Sequence, residues 1–354
     1  MNFFQNLKVI DVSSVLAGPS VATFFSELGA EVIKVENKNN PDVTRSWKLP
    51  NENASSSVSA YFSSINYNKK YLSLDFKSES DYNCFLDLVS SADILISNFK
   101  FGDEEKLKLT ESILRKNNPK LIIGKINGFG EENDRVAYDL ILQAEAGFMS
   151  MNGTTSSGPV KMPVALIDVL AAHHLKEGLL LALLNRSNQL IGNTVTVSLY
   201  DAAVSSLVNQ ASNFLMNQFV PQRIGSIHPN IAPYGEIFET QGGDLITFAI
   251  GSDVHFSKLC SFLELTELPL NEKFKSNQGR VINRVELENI IQNKIKNLST
   301  ESILTTMLNQ NVPVGKIKSL DEVFEDDNVK NSILSENIDN VATKRLSTIA
   351  FKWK

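Results

Sequence analysis

The first 130 residues alternate short β-branched segments with segments of helical length, and this alternation strongly limits the possible folds. Strands are predicted at 7–13, 30–36, 71–76, 92–99 and 120–126, with helices near 19–28, 79–91 and 104–116. Because the strands have Val and Ile on both faces, both faces of their sheet must be covered. Parallel strands joined by helices give this arrangement. The pattern therefore predicts an α/β fold with a Rossmann-like, doubly wound parallel sheet.

The pattern changes in the second half of the chain. It predicts a long apolar helix over 166–186, one strand and another long helix within 194–218, and charged helices over 284–298 and 300–310. Between them, YGEIFETQGGDLITFAI (234–250) is typical of a hairpin, and its Gly-Gly pair suits a primed turn. We therefore expect two domains. A large Rossmann-like domain spans 1–200 and is completed by the C-terminal residues 317–354, and a small α+β domain spans 221–316.

Charge and composition exclude several classes of protein. With 34 Lys+Arg and 40 Asp+Glu, the net charge is -6, which argues against binding nucleic acid or an anionic membrane through bulk electrostatics. Cys84 and Cys260 lie far apart and form neither a disulfide framework nor a zinc motif. The start lacks a signal-peptide pattern, and no run of about 18 apolar residues occurs. We expect a cytoplasmic protein with no metal site and no nucleic-acid or membrane partner.

The common nucleotide-binding motifs are missing. After the first strand, SSVLAGPSVATFF contains no G-x-G-x-x-G pattern, and the chain has no Walker A motif. These absences weaken dehydrogenase and NTPase interpretations. The glycines of GKINGFG (124–130) follow a strand, but a loop that needs positive φ explains them better than phosphate binding does.

Histidine and cysteine give little support for acid–base or thiol catalysis. His173 and His174 lie about 140° and 240° around the predicted helix from Asp168, so neither shares a face with it. Cys260 has no activating signature around it. We expect these side chains to be core or surface residues.

Asp168 opens a helix that is otherwise apolar, and two interpretations of it stay open. An aspartate at a helix start commonly caps the helix and stabilises it by about 0.5–2 kcal/mol. Alternatively, the carboxylate is ionised and attacks an electrophile. The small residues Ala171 and Ala172, one turn further on, would leave room above the carboxylate for a substrate.

Basic, amide and aromatic side chains recur where the predicted strands end. A doubly wound sheet binds its ligands at the carboxyl ends of its strands. Four lysines there are candidates for neutralising the phosphates of an extended nucleotide: Lys38, Lys69, Lys70 and Lys106. Tyr61, Tyr67 or Phe99 would then pack against the base. The alternative is that these lysines are solvated residues of exposed loops.

Ten segments of the chain, in order, match a known protein family. They are residues 17–36, 42–47, 66–77, 92–99, 118–130, 137–153, 163–183, 195–207, 228–240 and 312–326, and they begin with AGPSVATFFSELGAEVIKVE. In these segments the sequence resembles the family III CoA-transferases, which include formyl-CoA transferase and carnitine CoA-transferase. The α-methylacyl-CoA racemases are related to this family.

The resemblance implies a CoA-transferase with acyl-CoA and a small carboxylic acid as substrates, no permanently bound cofactor, and an interlocked homodimer. The family's nucleophilic aspartate falls on Asp168. It would form a mixed anhydride and then an aspartyl-CoA thioester. Such a site must exclude water and offer backbone N–H groups to the developing oxyanion. The positions that match the family's CoA-binding residues are Lys38, Asn68, Lys69, Lys70, Asn98, Phe99, Lys106 and Tyr138.

Two departures from the family patterns bear on the reaction. The racemases have Gly-His-Asp where this chain has Ala137-Tyr138-Asp139, and a phenol with a pKa of about 10 is a poor base at neutral pH. Formyl-CoA transferase has Gln before Ala-Gly-Pro, where this chain has Leu16, and a long glycine run that is missing here. We therefore expect a CoA-transferase, with formate and oxalate disfavoured as substrates. The alternatives are an acyl-CoA racemase or epimerase, and a homologue that only binds.

Overall fold

A computed structural model describes residues 2–186 and 191–353 of the chain. The strands are β1 (Lys8–Asp11), β2 (Glu31–Asn37), β3 (Lys69–Leu74), β4 (Ile94–Ser97), β5 (Ile122–Asn127), β6 (Thr194–Ser198), β7 (Tyr234–Glu239), β8 (Leu245–Ala249), β9 (Val314–Lys316), β10 (Ile333–Ile338) and β11 (Val341–Leu346). The helices are α1 (Ala17–Glu27), α2 (Ala60–Ser64), α3 (Glu79–Ser90), α4 (Asp103–Leu107), α5 (Glu111–Asn117), α6 (Asp139–Glu145), α7 (Phe148–Met151), α8 (Leu166–Asn185), α9 (Leu199–Ser205), α10 (Val208–Asn217), α11 (Asp253–Phe262), α12 (Asn277–Ile282), α13 (Arg284–Ile295), α14 (Thr300–Asn309), α15 (Leu320–Phe324) and α16 (Asp327–Lys330).

The chain divides into two compact units. The first contains Met1–Ser150, Lys161–Pro221 and Asn331–Lys354, and the second contains Met151–Val160 and Gln222–Lys330. This division differs from the predicted domains in three places, because 151–160 and 317–330 fall in the second unit and 201–221 fall in the first. The predicted boundaries, 1–200 with 317–354 and 221–316, stay a proposal for the two domains of the chain.

The first unit is built on a six-stranded sheet in the order β3-β2-β1-β4-β5-β6, and every strand pair is parallel. The predicted α/β class with a parallel, helix-covered sheet is therefore confirmed. The order runs outward from β1 to β3 on one side and from β4 to β6 on the other. This reversal between β1 and β4 opens a crevice at the carboxyl ends of the strands, where such sheets bind ligands.

Each face of this sheet has its own apolar core. In β4, Ile94 and Ile96 pack with α1 and α8, whereas Leu95 packs on the opposite face with Phe85 and Val89 of α3. Successive strand residues point to opposite faces, so a strand covered on both faces is apolar throughout. This is why the sequence of the strands shows continuous apolar runs instead of alternation.

Two predicted helices are each broken into two. The helix expected over 104–116 is interrupted at Lys108, whose φ of 58° is left-handed, and the break allows Leu109 to enter the core. The long helix expected after β6 is interrupted at Ser206 and Leu207, between α9 and α10, and Val208, the first residue of α10, has a left-handed φ of 42°. Helix α9 buries Leu199, Ala202 and Ala203, whereas α10 has no buried residue, so the chain leaves the core at this break.

The second unit contains an antiparallel sheet in the order β7-β8-β9 with its own core. The predicted hairpin β7–β8 is present, but its turn is not a primed one. The N–H of Gly243 donates to the carbonyl of Thr240, and only Gly243 of the two glycines has a positive φ, 83°. A primed turn would place a positive φ at a central residue, whereas here the left-handed residue follows the turn.

The C-terminal hairpin β10–β11 contacts the N-terminal part of the first unit through ion pairs. Arg345 of β11 reaches Glu27 of α1 at 2.6 Å, and both side chains are 3% exposed. Arg45 reaches Asp339, between the two strands, at 2.9 Å. These contacts attach the end of the chain to its beginning. Within residues 2–186 and 191–353, none of the helices is long and apolar enough to cross a membrane.

Candidate active site

A cleft of about 840 Å³ opens at the carboxyl ends of β1, β2, β4 and β5. It is lined by the loops that follow these strands, within residues 12–17, 35–43, 98–107 and 126–138, and by Phe76, Asp168 and Leu199. Its volume lies in the upper part of the range of about 300–1,000 Å³ for small-molecule sites. The cleft coincides with the crevice that the strand order creates, so it is the candidate site of this unit.

Asp168 is the titratable residue of α8 that lines this cleft. The first turn of α8 lies on the apolar core, and the Asp168 side chain, only 8% exposed, is buried with it. Burial, together with the negative charge of Asp139, raises the pKa of Asp168 to about 7. Within the described part of the chain, no hydrogen bond or ion pair engages the Asp168 carboxylate.

Asp168 does not cap its helix. The N-cap residue of α8 is Ala165, whose side chain cannot accept a hydrogen bond. The N–H of Ile167, which has no partner within the helix, donates to Oδ1 of Asp139 at 2.7 Å. The other oxygen of Asp139 accepts from Gln143, whose amide oxygen in turn accepts from the N–H of Met162. Helix α6 thus supplies the cap that α8 lacks. The cap interpretation of Asp168 therefore loses its structural support.

Tyr61 lies within electrostatic reach of Asp168. Burial, together with the negative charges of Asp168, Asp139 and Asp42, raises the pKa of Tyr61 to about 12. The ring also packs edge-on against Trp47, with the ring centroids 5.1 Å apart. Tyr61 therefore keeps its proton at neutral pH and is a hydrogen-bond donor near the carboxylate.

The structure brings four of the eight predicted CoA-binding residues together with Asp168. These four line the cleft: Asn98, Phe99, Lys106 and Tyr138. Tyr138 is half exposed. Within the described residues the ammonium of Lys106 pairs with half-buried Asp103 at 2.8 Å, and the Lys106 side chain is 74% exposed, so an incoming phosphate can reach it. The side-chain amide of Asn98 instead bonds the backbone of Ser14.

The other four predicted CoA-binding residues do not line the cleft. Lys69 and Lys70 begin β3, at the amino end of the sheet. The ammonium of Lys69 is buried and bonds four internal acceptors, whereas Lys70 is exposed and pairs with Glu31. Asn68 precedes them and donates its N–H to Glu336. Lys38 is exposed and follows Asn37, which does line the cleft.

Sequence reasoning missed other cleft residues of the same chemical types. Lys100 and Arg135 add cations, and Phe76 and Phe101 add aromatic rings. Lys100 and Phe101 directly follow the predicted pair at the end of β4, so their position was an available signal. Arg135 stacks on Phe129 at 4.0 Å and pairs with Glu145, an arrangement that depends on the folded loop.

The histidines lie outside the cleft. His174 contacts Ser205 through Nε2 at 3.3 Å, and neither His173 nor His174 is among the lining residues. In the part of the chain that the structure describes, no group of three or more His, Cys, Asp or Glu side chains is placed to hold a metal ion. Asp168 is therefore the candidate reactive group of the cleft.

The doubly wound sheet and its cleft, with a buried carboxylate, define an α/β protein with a candidate active site at the switch in its strand order. The sequence matches the family model for CoA-transferase family III over residues 4–354, and the chain belongs to this family. It is 34% identical to a succinate–glutarate CoA-transferase of Agrobacterium fabrum over 92% of this chain and 82% of the relative. It is 30% identical to a succinyl-CoA:glutarate CoA-transferase of Mus musculus over 98% of this chain and 79% of the relative. The protein is thus an enzyme of the CoA-transferase class.

A solved structure shares the same architecture. The crystal structure of a CAIB/BAIF family protein from Brucella suis superposes with a TM-score of 0.84. The two sequences are 32% identical, and the match covers 98% of this chain and 92% of the other. The likeness extends over both units of the chain.

Proposed function

We propose that this enzyme moves CoA from an acyl-CoA to a free carboxylic acid, with Asp168 as the nucleophile. The observation that supports this most directly is the Asp168 carboxylate, buried in the cleft and without a bonding partner among the described residues. A structural carboxylate at such a place would normally be paired or hydrogen-bonded. The names of the relatives support the substrate classes.

The proposed reaction exchanges acyl groups in four steps. The Asp168 carboxylate attacks the thioester carbonyl, the C–S bond breaks, and a mixed anhydride and CoA thiolate form. The thiolate attacks the aspartyl carbonyl, which releases the donor acid and leaves an aspartyl-CoA thioester. The acceptor carboxylate then attacks this thioester, the C–S bond breaks, and a second mixed anhydride and CoA thiolate form. The thiolate attacks the acceptor carbonyl of this anhydride, which gives the new acyl-CoA and releases the Asp168 carboxylate. No atom is oxidised or reduced, so acyl-CoA serves as substrate and no resident cofactor is required.

The cleft supplies groups that suit the substrate. Lys100, Lys106 and Arg135 offer positive charge to the CoA phosphates, and Phe99 and Tyr138 offer rings to its base. Burial around Asp168 keeps water from the anhydride. We propose succinate and glutarate as the first acids to test, because the relatives are named for them.

The racemase alternative is not favoured. Its reaction requires two groups that transfer a proton at the α-carbon, and Tyr138 stands where the racemases have histidine. The relatives reported above are named as transferases. We retain α-proton exchange only as a control measurement.

An activity panel tests the proposal. The protein is incubated with succinyl-CoA and, in separate samples, glutarate, other dicarboxylic acids and monocarboxylic acids in deuterated water. We expect a new CoA thioester, detected by mass spectrometry, that depends on the added acid. Deuterium at the α-carbon without transfer would identify a racemase, and CoA binding without either product would identify a binding protein.

We also propose that the enzyme is an interlocked homodimer in the cytoplasm. Helix α10 supports the first part, because it exposes four large apolar side chains: Val208, Phe214, Leu215 and Met216, which are 44–81% exposed. The unpaired thiols of Cys84 and Cys260 suit a reducing compartment. Light scattering is expected to give twice the chain mass of 39.2 kDa. A monomer at micromolar concentration would contradict the dimer.

A further inference from the structure

The loop between β1 and α1, residues 13–16, lines the cleft and is held by side chains from three other parts of the first unit. Asp11, at the end of β1, accepts from the N–H of Ser13 at 3.0 Å. Asn98, directly after β4, binds Ser14. Asp42, after β2, accepts from the N–H of Val15 at 3.4 Å. The loop conformation thus depends on the ends of three neighbouring strands.

Asn98 makes the tightest of these attachments. Its Oδ1 accepts from the N–H of Ser14 at 2.9 Å, and its Nδ2 donates to the carbonyl of Ser14 at 2.8 Å. This pair of bonds engages both backbone groups of Ser14, the N–H and the carbonyl, as an adjacent β-strand would. The next residue, Val15, has a φ of 70°, which is unfavourable for a β-branched side chain and persists only where the surroundings enforce it.

Beyond this constrained residue, three backbone N–H groups are left free. Within residues 2–186 and 191–353, no hydrogen-bond acceptor engages the N–H groups of Leu16, Ala17 and Gly18, which begin α1. Leu16 and Ala17 line the same cleft as Asp168. Helix α1 packs against α8, so the first turns of both helices meet this cleft. Free N–H groups at a helix start favour negative charge.

We propose that Asn98 is a positioning residue for the reaction, which holds Ser14 and thereby the left-handed Val15 so that the free N–H groups of α1 face the negative charge that develops on the acyl oxygen. This inference rests on the proposed function. It also changes the role of Asn98, because its side-chain oxygen and one amide hydrogen are occupied by Ser14 and do not serve CoA. The group that contacts the substrate is the backbone, and Asn98 acts through it.

The test compares Asn98→Ala with Asn118→Ala. Asn118 is a matched control because its amide also ties down backbone, donating to the carbonyls of Val89 and Ala92, and it lies outside the cleft. We expect Asn98→Ala to lower kcat about tenfold or more, with Kd for CoA within about threefold of wild type by calorimetry. Asn118→Ala is expected to keep kcat per folded molecule.

Hydrogen exchange measured by mass spectrometry gives a readout that does not require activity. We expect the peptide 12–20 to exchange faster in Asn98→Ala than in wild type, and to be unchanged in Asn118→Ala. Unchanged exchange in Asn98→Ala would overturn the positioning role, even in an active enzyme. So would a weaker Kd with kcat retained, which would make Asn98 a CoA ligand.

Two further outcomes remain decisive. If Asn98→Ala fails to fold, Asn98→Asp replaces it, because aspartate keeps the acceptor for the Ser14 N–H but loses the donor to the Ser14 carbonyl and places a negative charge there; the same exchange and kcat criteria apply. A wild-type protein without transfer activity would contradict the proposed function. In that case faster exchange of peptide 12–20 would support only the hold on the loop, and the role in the reaction would be overturned.

Discussion

Asp168→Asn is expected to abolish CoA transfer, with a loss of at least about 10³-fold in kcat, while the protein still folds. Asparagine is nearly isosteric with aspartate, but its amide cannot form the anhydride. In wild type, acyl-CoA followed by hydroxylamine or borohydride is expected to modify Asp168. Mass spectrometry of the peptide around 162–176 should show this modification, and the same peptide of the variant should not.

Asp201→Asn is the matched control for this experiment. Asp201 is the third residue of α9, as Asp168 is of α8, but it is exposed and does not line the cleft. We expect Asp201→Asn to retain transfer and the modification. Full activity of Asp168→Asn would contradict the mechanism. Membership of the family would then account for the fold but not for a catalytic role of Asp168.

Asp168→Asn is also expected to raise the thermal stability at pH 8, which shows that lost activity is not lost folding. The pKa of Asp168 is raised from 3.8 to about 7 on folding, so the folded state binds this proton more tightly. The stability from this group is complete below pH 3.8 and is lost as the pH rises to about 7. The variant lacks this loss, so we expect its Tm to exceed that of wild type by about 5 °C at pH 8 and by less at pH 5.

The sheet of the first unit was predictable because each of its parts is local in sequence. A strand such as β4, apolar on both faces, needs covering on both sides, and the helices that cover it are its neighbours along the chain. The broken helices were not predictable in this way. The break at Lys108 arises because Leu109 packs into a core formed by residues from other elements, and no local pattern records that contact.

The site was predictable where a residue contrasts with its own surroundings. Asp168 stands out as an acid in an apolar helix, and the structure places it in the cleft. Helix α8 does not need Asp168 as a cap, because Asp139 of α6 accepts from the N–H of Ile167. This contact between two helices depends on the tertiary structure and could not be read from the sequence. Asn98 was predicted as a site residue and lines the cleft, but its partner Ser14 lies 84 residues away, so the bond between them could not be read from the sequence.

The two adjacent lysines of β3 illustrate the limit most clearly. Successive residues of a strand point to opposite faces, so Lys69 and Lys70 face different environments although the sequence gives them the same chemistry. Lys69 points inward, and its ammonium lies 2.8 Å from Asp11, 58 residues earlier. Lys70 points outward and is 72% exposed. Their positions in the sequence and the resemblance to the family assigned both lysines to CoA. Their different roles become visible only from the residues that each ammonium contacts in the folded protein.

Lys69→Met is expected to destabilise the protein by about 3 kcal/mol, whereas Lys70→Met should change stability by less than about 1 kcal/mol. The ammonium of Lys69 bonds Asp11, the carbonyls of Pro19 and Ile65, and Asn66, and neither it nor the Asp11 carboxylate is exposed. Methionine fills the space but leaves the Asp11 carboxylate buried with only Lys34, 3.9 Å away, for charge compensation. The midpoint of urea unfolding for the two variants measures the difference.

Calorimetric titration with CoA then separates a structural lysine from a ligand. If Lys69 is structural, the folded fraction of Lys69→Met binds CoA as wild type does, and the lower midpoint accounts for any lost activity. If Lys69 binds a phosphate, the midpoint stays and Kd rises. A wild-type midpoint for Lys69→Met would contradict the buried ion pair as a determinant of stability, because removing one partner of such a pair leaves an uncompensated charge in the interior. The same titration of Lys70→Met tests whether the exposed ammonium of Lys70 contacts CoA. Lys70 pairs with Glu31 at the amino end of the sheet and does not line the cleft, so we expect the Kd of this variant to equal that of wild type.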